Sequence, residues 1–150
     1  MVSEQIHATC VSVDGRGVIL RGPSGSGKSD LAFRLIDQGG ILVADDRVDI
    51  EVQNGSVIAR PPLNIAGQIE VRGVGIMRLT YLEETRLDLI VDLVERDEVL
   101  RLPEGTPASL LGINFKHLCL HAFVASTPTK IRLALRASKD AMVAPLWSKS

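Results

Sequence analysis

Gly22-Pro23-Ser24-Gly25-Ser26-Gly27-Lys28-Ser29 decides the reading of this chain, because it fits G-x-x-x-x-G-K-[ST] and stands where an apolar strand, Gly17 to Arg21, gives way to a helical repeat. In that context the pattern predicts a bound nucleoside triphosphate. The glycines let successive backbone N–H groups turn toward phosphate oxygens, and the following helix presents its positive N-terminal end to them. Lys28 is placed to reach the β- and γ-phosphates, and the Ser29 hydroxyl to enter the shell of a Mg2+ ion.

Working outward, His7 to Val13 and Val18 to Leu20 read as strands joined by the turn Asp14-Gly15-Arg16-Gly17, so the loop hangs from a hairpin. Lys28 to Gln38 carries Leu31, Ala32, Leu35 and Ile36 at helical spacing, and Gly39-Gly40 supplies a left-handed stop. Ile41 to Ala44 is an apolar strand ending in Asp45-Asp46, and Val48 to Val52 pairs with Val57 to Ala59 across Asn54-Gly55. Ile69 to Leu79 reads as one strand with a bulge or close approach at Gly73 and Gly75, and Leu87 to Val94 as another. Pro103 to Pro107 forms a turn, and Thr127-Pro128 caps and opens a helix from Pro128 to about Ala137. The expected division is a domain over residues 1–137 and a loosely held tail over 138–150.

Composition narrows the function. The 150 residues are 45% hydrophobic and 23% charged, which suits one compact domain. Seventeen Lys and Arg against eighteen Asp and Glu give a formal charge of −1, and no basic run interleaves with aromatics, so nucleic acid is not an expected partner. No apolar run approaches the ~18 residues that cross a bilayer, and the N-terminus lacks a signal-peptide pattern, so neither membrane insertion nor export is expected. Cys10 and Cys119 have no metal-site spacing and read as buried, reduced thiols of a cytoplasmic protein.

A phosphate loop says nucleotide, not reaction, so the acidic residues matter next. Asp45-Asp46 follows the strand after the phosphate-loop helix, where a carboxylate can hold the metal's water or take a proton from an attacking hydroxyl. The rival, Asp92, shares a period-two pattern with Asp88 and reads as an edge or surface carboxylate. Glu70 and Arg72 flank Val71 on one face of a strand and precede two glycines that admit a close neighbour. Taken singly, His7 reads as structural and Arg101 as an ordinary surface residue.

Together these residues resemble the catalytic domain of the bacterial HPr kinase/phosphorylase family. The resemblance begins at Ile6-His7, passes through the phosphate loop and Leu42-Val43-Ala44-Asp45-Asp46-Arg47-Val48, and includes Ile69-Glu70-Val71-Arg72-Gly73-Val74-Gly75-Ile76, covering residues 6 to 137. It implies an α/β phosphate-loop kinase domain with a mixed sheet and flanking helices, related to phosphoenolpyruvate carboxykinase. It also implies ATP- and Mg2+-dependent phosphorylation of a seryl hydroxyl of the phosphocarrier protein HPr. Asp46 matches the family's proton-transferring aspartate, Lys28 its phosphate-contacting lysine, and Ser29 and Glu70 its magnesium ligands. His7 matches an active-site histidine and Arg101, in Leu100-Arg101-Leu102-Pro103, an active-site arginine. A homo-oligomer is implied as well, with HPr docking near Asp46 and the basic helix Lys130 to Arg136.

Two departures set further expectations. Longer family members carry an additional N-terminal domain, whereas this chain starts just before the matched histidine, so a catalytic core alone is expected. The family's loop of the form PVRPGRN, associated with attack of inorganic phosphate on phosphoserine, corresponds here to Ala122-Phe123-Val124-Ala125-Ser126-Thr127-Pro128-Thr129-Lys130. Without its two arginines the loop has less charge to hold a phosphate dianion, so kinase activity should outlast phosphorylase activity.

Overall fold

The computed structural model describes residues 2–137; the expected tail, 138–150, lies outside them. The strands are β1 Ser3–His7, β2 Thr9–Val13, β3 Arg16–Arg21, β4 Ile41–Ala44, β5 Arg47–Gln53, β6 Ser56–Arg60, β7 Gln68–Val71, β8 Gly75–Arg78, β9 Thr85–Leu93, β10 Ala108–Leu110 and β11 Ile113–Leu120. Two α-helices, α1 Lys28–Asp37 and α2 Thr127–Arg136, complete an α/β domain of the expected class. The main sheet runs β1-β5-β6-β9-β3-β2-β4, with β11 parallel to β9 and β10 antiparallel to β11.

Strand directions position the site. β3, β9 and β11 are mutually parallel, while β4 and β3 are both antiparallel to β2, so all four strands end at the same edge. The phosphate loop leaves β3 at that edge and Asp45-Asp46 leaves β4 there.

Side chains alternate between two cores. On one face Val18 and Leu20 of β3 and Leu89 and Val91 of β9 meet Leu31 and Leu35 of α1 and Ile131 of α2. On the other, Ile19 and Ile90 meet Val48 and Ile50 of β5 and Val57 of β6, where the β1-β5-β6 end of the sheet supplies the cover. Leu87 belongs to the second core although Leu89 belongs to the first, because the register slips between Gly17 and Val18, which pair with Leu87 and Leu89. That extra residue, Asp88, reverses the facing order of β9, as a bulge does. Gly17 is required at this crossing: an added Cβ would lie 2.6 Å from the Arg86 carbonyl oxygen.

Several sequence expectations change. The strand expected over His7 to Val13 breaks at Ala8, and the earlier half, Ser3–His7, pairs with β5 while Thr9–Val13 pairs with β3 and β4. The strand expected over Ile69 to Leu79 is the hairpin β7-β8, folded at 72–74 with Gly73 at φ 87. Its glycines make a turn and not a bulge, and Arg72 sits in that turn instead of sharing a strand face with Glu70. β10 and β11 have no counterpart in the sequence reading, and α2 begins one residue early, with Ser126 at the cap and Thr127 inside. Cys10 is buried and free as expected, but Cys119 is exposed.

Candidate active site

The phosphate loop is built from two conformational demands. Gly25 and Gly27 take φ of 85 and 98, in the left-handed region that suits glycine. A Cβ on Gly27 would also stand 2.6 Å from Ala122 Cβ and 2.8 Å from Phe123 Cζ, so the 121–124 segment closes on the loop. Arg34 of α1 fixes that segment by donating to the carbonyl oxygens of Ala122 and Val124. Lys28, buried at the first position of α1, folds back and donates from Nζ to the carbonyls of Gly22 at 2.7 Å and Pro23 at 3.1 Å.

Asp45 ties the loop to three other elements. Its Oδ1 accepts from Ser29 Oγ at 2.7 Å and from Thr9 Oγ1 at 3.0 Å, and its Oδ2 accepts from the Glu70 backbone N–H at 3.2 Å. The carboxylate is buried yet supplied with three donors, which is the condition for burying it. Through it α1, β2 and β7 converge on the end of β4.

Asp46 faces the other way. It takes φ of 72, a left-handed conformation that turns it out of the line of β4. Its Oδ1 lies 2.9 Å from His7 Nε2, and Arg47 Nε approaches Oδ2 at 4.0 Å. Both His7 and Asp46 are exposed, so the pair is open to a second macromolecule. Adjacent aspartates therefore divide their work: one is a buried strut, the other a presented carboxylate.

The structure thus gathers Lys28, Ser29, Asp45, Asp46, His7 and the backbone of Glu70 at one end of the sheet. Arg101 stands apart, exposed at a bend in the connection between β9 and β10, where it lines a cavity of about 1000 Å3 with residues of β11 and α2. It makes no hydrogen bond or ion pair with another described residue.

Sequence reasoning missed two groups. Thr9 is fully buried and holds Asp45; its signal was only a polar residue inside an apolar run. Asp92, read as a surface carboxylate, is half-buried: Arg21 Nε and Nη2 donate to its two oxygens at 2.8 Å each, and His117 Nε2 lies 2.6 Å from Oδ2. Burial pushes the Asp92 carboxyl up, but the hydrogen bonds and charges of Arg21 and His117 outweigh that and hold it below the ordinary carboxylate range. The signal that could have found it is Arg21, a charged residue closing an apolar strand.

The residues present fit a magnesium nucleotide. Ser26 Oγ, within the loop, is buried with no hydrogen-bond partner among the described residues, and a Cβ on Gly22 would meet it at 2.5 Å, so the cradle is shaped tightly around polar groups that await an acceptor or donor. Among the described residues no three His, Cys, Asp or Glu side chains form a metal cluster.

Comparison with known proteins shows what the chain as a whole is similar to. The family described as HPr serine kinase C-terminal domain matches residues 1–106. The HPr kinase/phosphorylase of Clostridium beijerinckii is 45% identical over 125 residues, covering 76% of this chain and 41% of that protein. The HPr kinase/phosphorylase of Variovorax paradoxus is 36% identical over 114 residues, covering 71% and 36%. The chain therefore spans about two-fifths of the length of these curated relatives. The solved structure of the Hpr(Ser) kinase/phosphatase from Coxiella burnetii matches with a TM-score of 0.78 at 26% identity, covering 89% of this chain and 88% of that one.

Proposed function

This chain belongs to the HPr serine kinase C-terminal domain family, and on that premise we propose that it is an ATP- and Mg2+-dependent kinase for a seryl hydroxyl of an HPr-like phosphocarrier protein. The observation that carries the reading is the presented Asp46 carboxylate, held by His7 at 2.9 Å beside a neighbour, Asp45, that is bonded to Ser29 of the phosphate loop. A base next to a phosphate loop and open to a protein acceptor is what seryl transfer needs.

In this reading Lys28 exchanges the Gly22 and Pro23 carbonyls for phosphate oxygens, and the loop N–H groups orient the triphosphate. Ser29 and Glu70 would hold Mg2+, which supplies charge neutralisation at those oxygens. Asp45 keeps the Ser29 hydroxyl in place. Asp46 takes the seryl proton as the hydroxyl attacks, and returns it in the reverse direction; His7 fixes the carboxylate's orientation. Arg101, which stands apart from Lys28 and Asp46 here, would add positive charge at the transferring group only if the connection between β9 and β10 carried it toward the phosphate loop. Cytoplasmic location and homo-oligomerisation complete it.

Reversal by inorganic phosphate should be weak. The 121–124 segment packs on Gly27 and is held by Arg34, whose guanidinium is turned to the Ala122 and Val124 carbonyls, so this stretch offers no free arginine to a phosphate dianion. The test is transfer of labelled γ-phosphate from ATP-Mg2+ to purified HPr, with Lys28→Ala as control and a chase of inorganic phosphate. Seryl label that Lys28→Ala abolishes, with little pyrophosphate released in the chase, is the expected result. ATP binding without label on HPr would turn the reading toward a nucleotide-binding regulator or a small-molecule kinase.

A further inference from the structure

Arg21 and Asp92, near the ends of β3 and β9, and His117, within β11, form a line of polar contacts across the three strands, and the proposed reaction uses none of them. Both oxygens of Asp92 receive the Arg21 fork, at 2.8 Å each, and His117 adds a third contact at 2.6 Å. A carboxylate only accepts, so the His117 Nε2 carries the proton of that bond. Arg21 is paired with Asp92 across adjacent strands and is bonded directly to Gly22, whose carbonyl oxygen receives Lys28 Nζ at 2.7 Å. The cluster therefore grips the chain at the residue where the phosphate loop leaves the sheet.

A nucleophilic role does not fit. Cys119 Sγ stands 3.9 Å from the same His117 Nε2 that serves Asp92, so the imidazole cannot relay a proton between thiol and carboxylate. Burial and the Asp92 charge push the Cys119 thiol up, away from thiolate.

We propose that Asp92 is a positioning residue for nucleotide binding: supported by His117, it clamps Arg21 and sets the angle at which the phosphate loop presents its N–H groups and Lys28. This rests on the proposed function only in taking ATP as the ligand. A bidentate guanidinium–carboxylate pair fixes direction as well as distance, which a single bond at this position would not. Loosening it allows the loop root to rotate and spreads the donors over a wider set of orientations.

The test is equilibrium binding of ATP-Mg2+ to the full chain, beside steady-state transfer to HPr, for Asp92→Asn and His117→Ala. The expected result for Asp92→Asn is an ATP Kd and KM raised about fivefold or more, with kcat at saturating ATP and the KM for HPr unchanged. His117→Ala should move ATP Kd in the same direction by a smaller factor. Were the cluster only a structural brace, Asp92→Asn would lower the folded fraction and Tm while leaving Kd and KM for ATP unchanged, and that overturns the proposal. If Asp92→Asn does not fold, an unchanged Kd in His117→Ala overturns it instead. A raised Kd without HPr labelling in any variant would sink the kinase reading alone; no ATP binding by the unsubstituted chain would sink both.

Discussion

Asp45 and Asp46 are consecutive in sequence and opposite in circumstance: one buried against Ser29, Thr9 and the Glu70 N–H, the other exposed against His7. Gly27 shows how little latitude the neighbouring loop has. Gly27→Ala meets both a φ of 98 and a Cβ 2.6 Å from Ala122, so it should lower unfolding free energy by about 1–3 kcal/mol in urea titration and weaken ATP binding in parallel. Asp92 gives a pH signature. Its carboxyl is held below the ordinary value of 3.8 in the folded protein, so its stabilisation is present above that value and is lost as pH falls through the lower, folded one. The Tm difference between the wild-type chain and Asp92→Asn should thus close as pH falls below the ordinary carboxylate range. The phosphate loop and Asp45-Asp46 were legible because their chemistry is local in sequence. Asp92 was misread because period-two alternation identifies a facing direction and cannot see that Arg21 and His117 stand on the strands at either side.

At the level of elements, the β3–β9 pair carries the site's accuracy, since the loop and Asp92 both leave from it. At Gly17 the two strands leave no room for a side chain: a methyl group would press on the Arg86 carbonyl at 2.6 Å and Thr85 Cγ2 at 2.8 Å. Gly17→Ala should therefore cost about 1–3 kcal/mol in denaturant unfolding, and hydrogen exchange should rise along both strands. α1 was readable from Leu31 and Leu35 at helical spacing and from Gly39-Gly40; its stop is made as expected, with Gly40 N–H on the Leu35 carbonyl at 2.9 Å. β10 and β11 were not readable, because Lys116 and His117 interrupt the apolar pattern of β11 and its order comes from pairing with β9. The hairpin β7-β8 was misread as a strand for the opposite reason: the alternation continues through a turn that only Gly73 betrays.

Across the whole molecule, hydrogen bonds at one sheet edge bring together residues separated by more than sixty positions, from His7 to Glu70, so that the phosphate-loop motif, the Ser29 hydroxyl and the open Asp46 carboxylate share one end of the domain. The α/β class followed from strand, loop and helix in order. The curl that sends β1 to β5, and the two cores it separates, depend on long-range register that no short pattern encodes. The most direct test of the central claim, that Asp46 is the base of a seryl kinase, is single-turnover phosphorylation of HPr by the wild-type chain and Asp46→Asn, with ATP-Mg2+ affinity measured on the same samples. The account predicts a transfer rate lowered about a hundredfold or more with ATP Kd within about twofold of wild type. Equal rates for the two chains would contradict it.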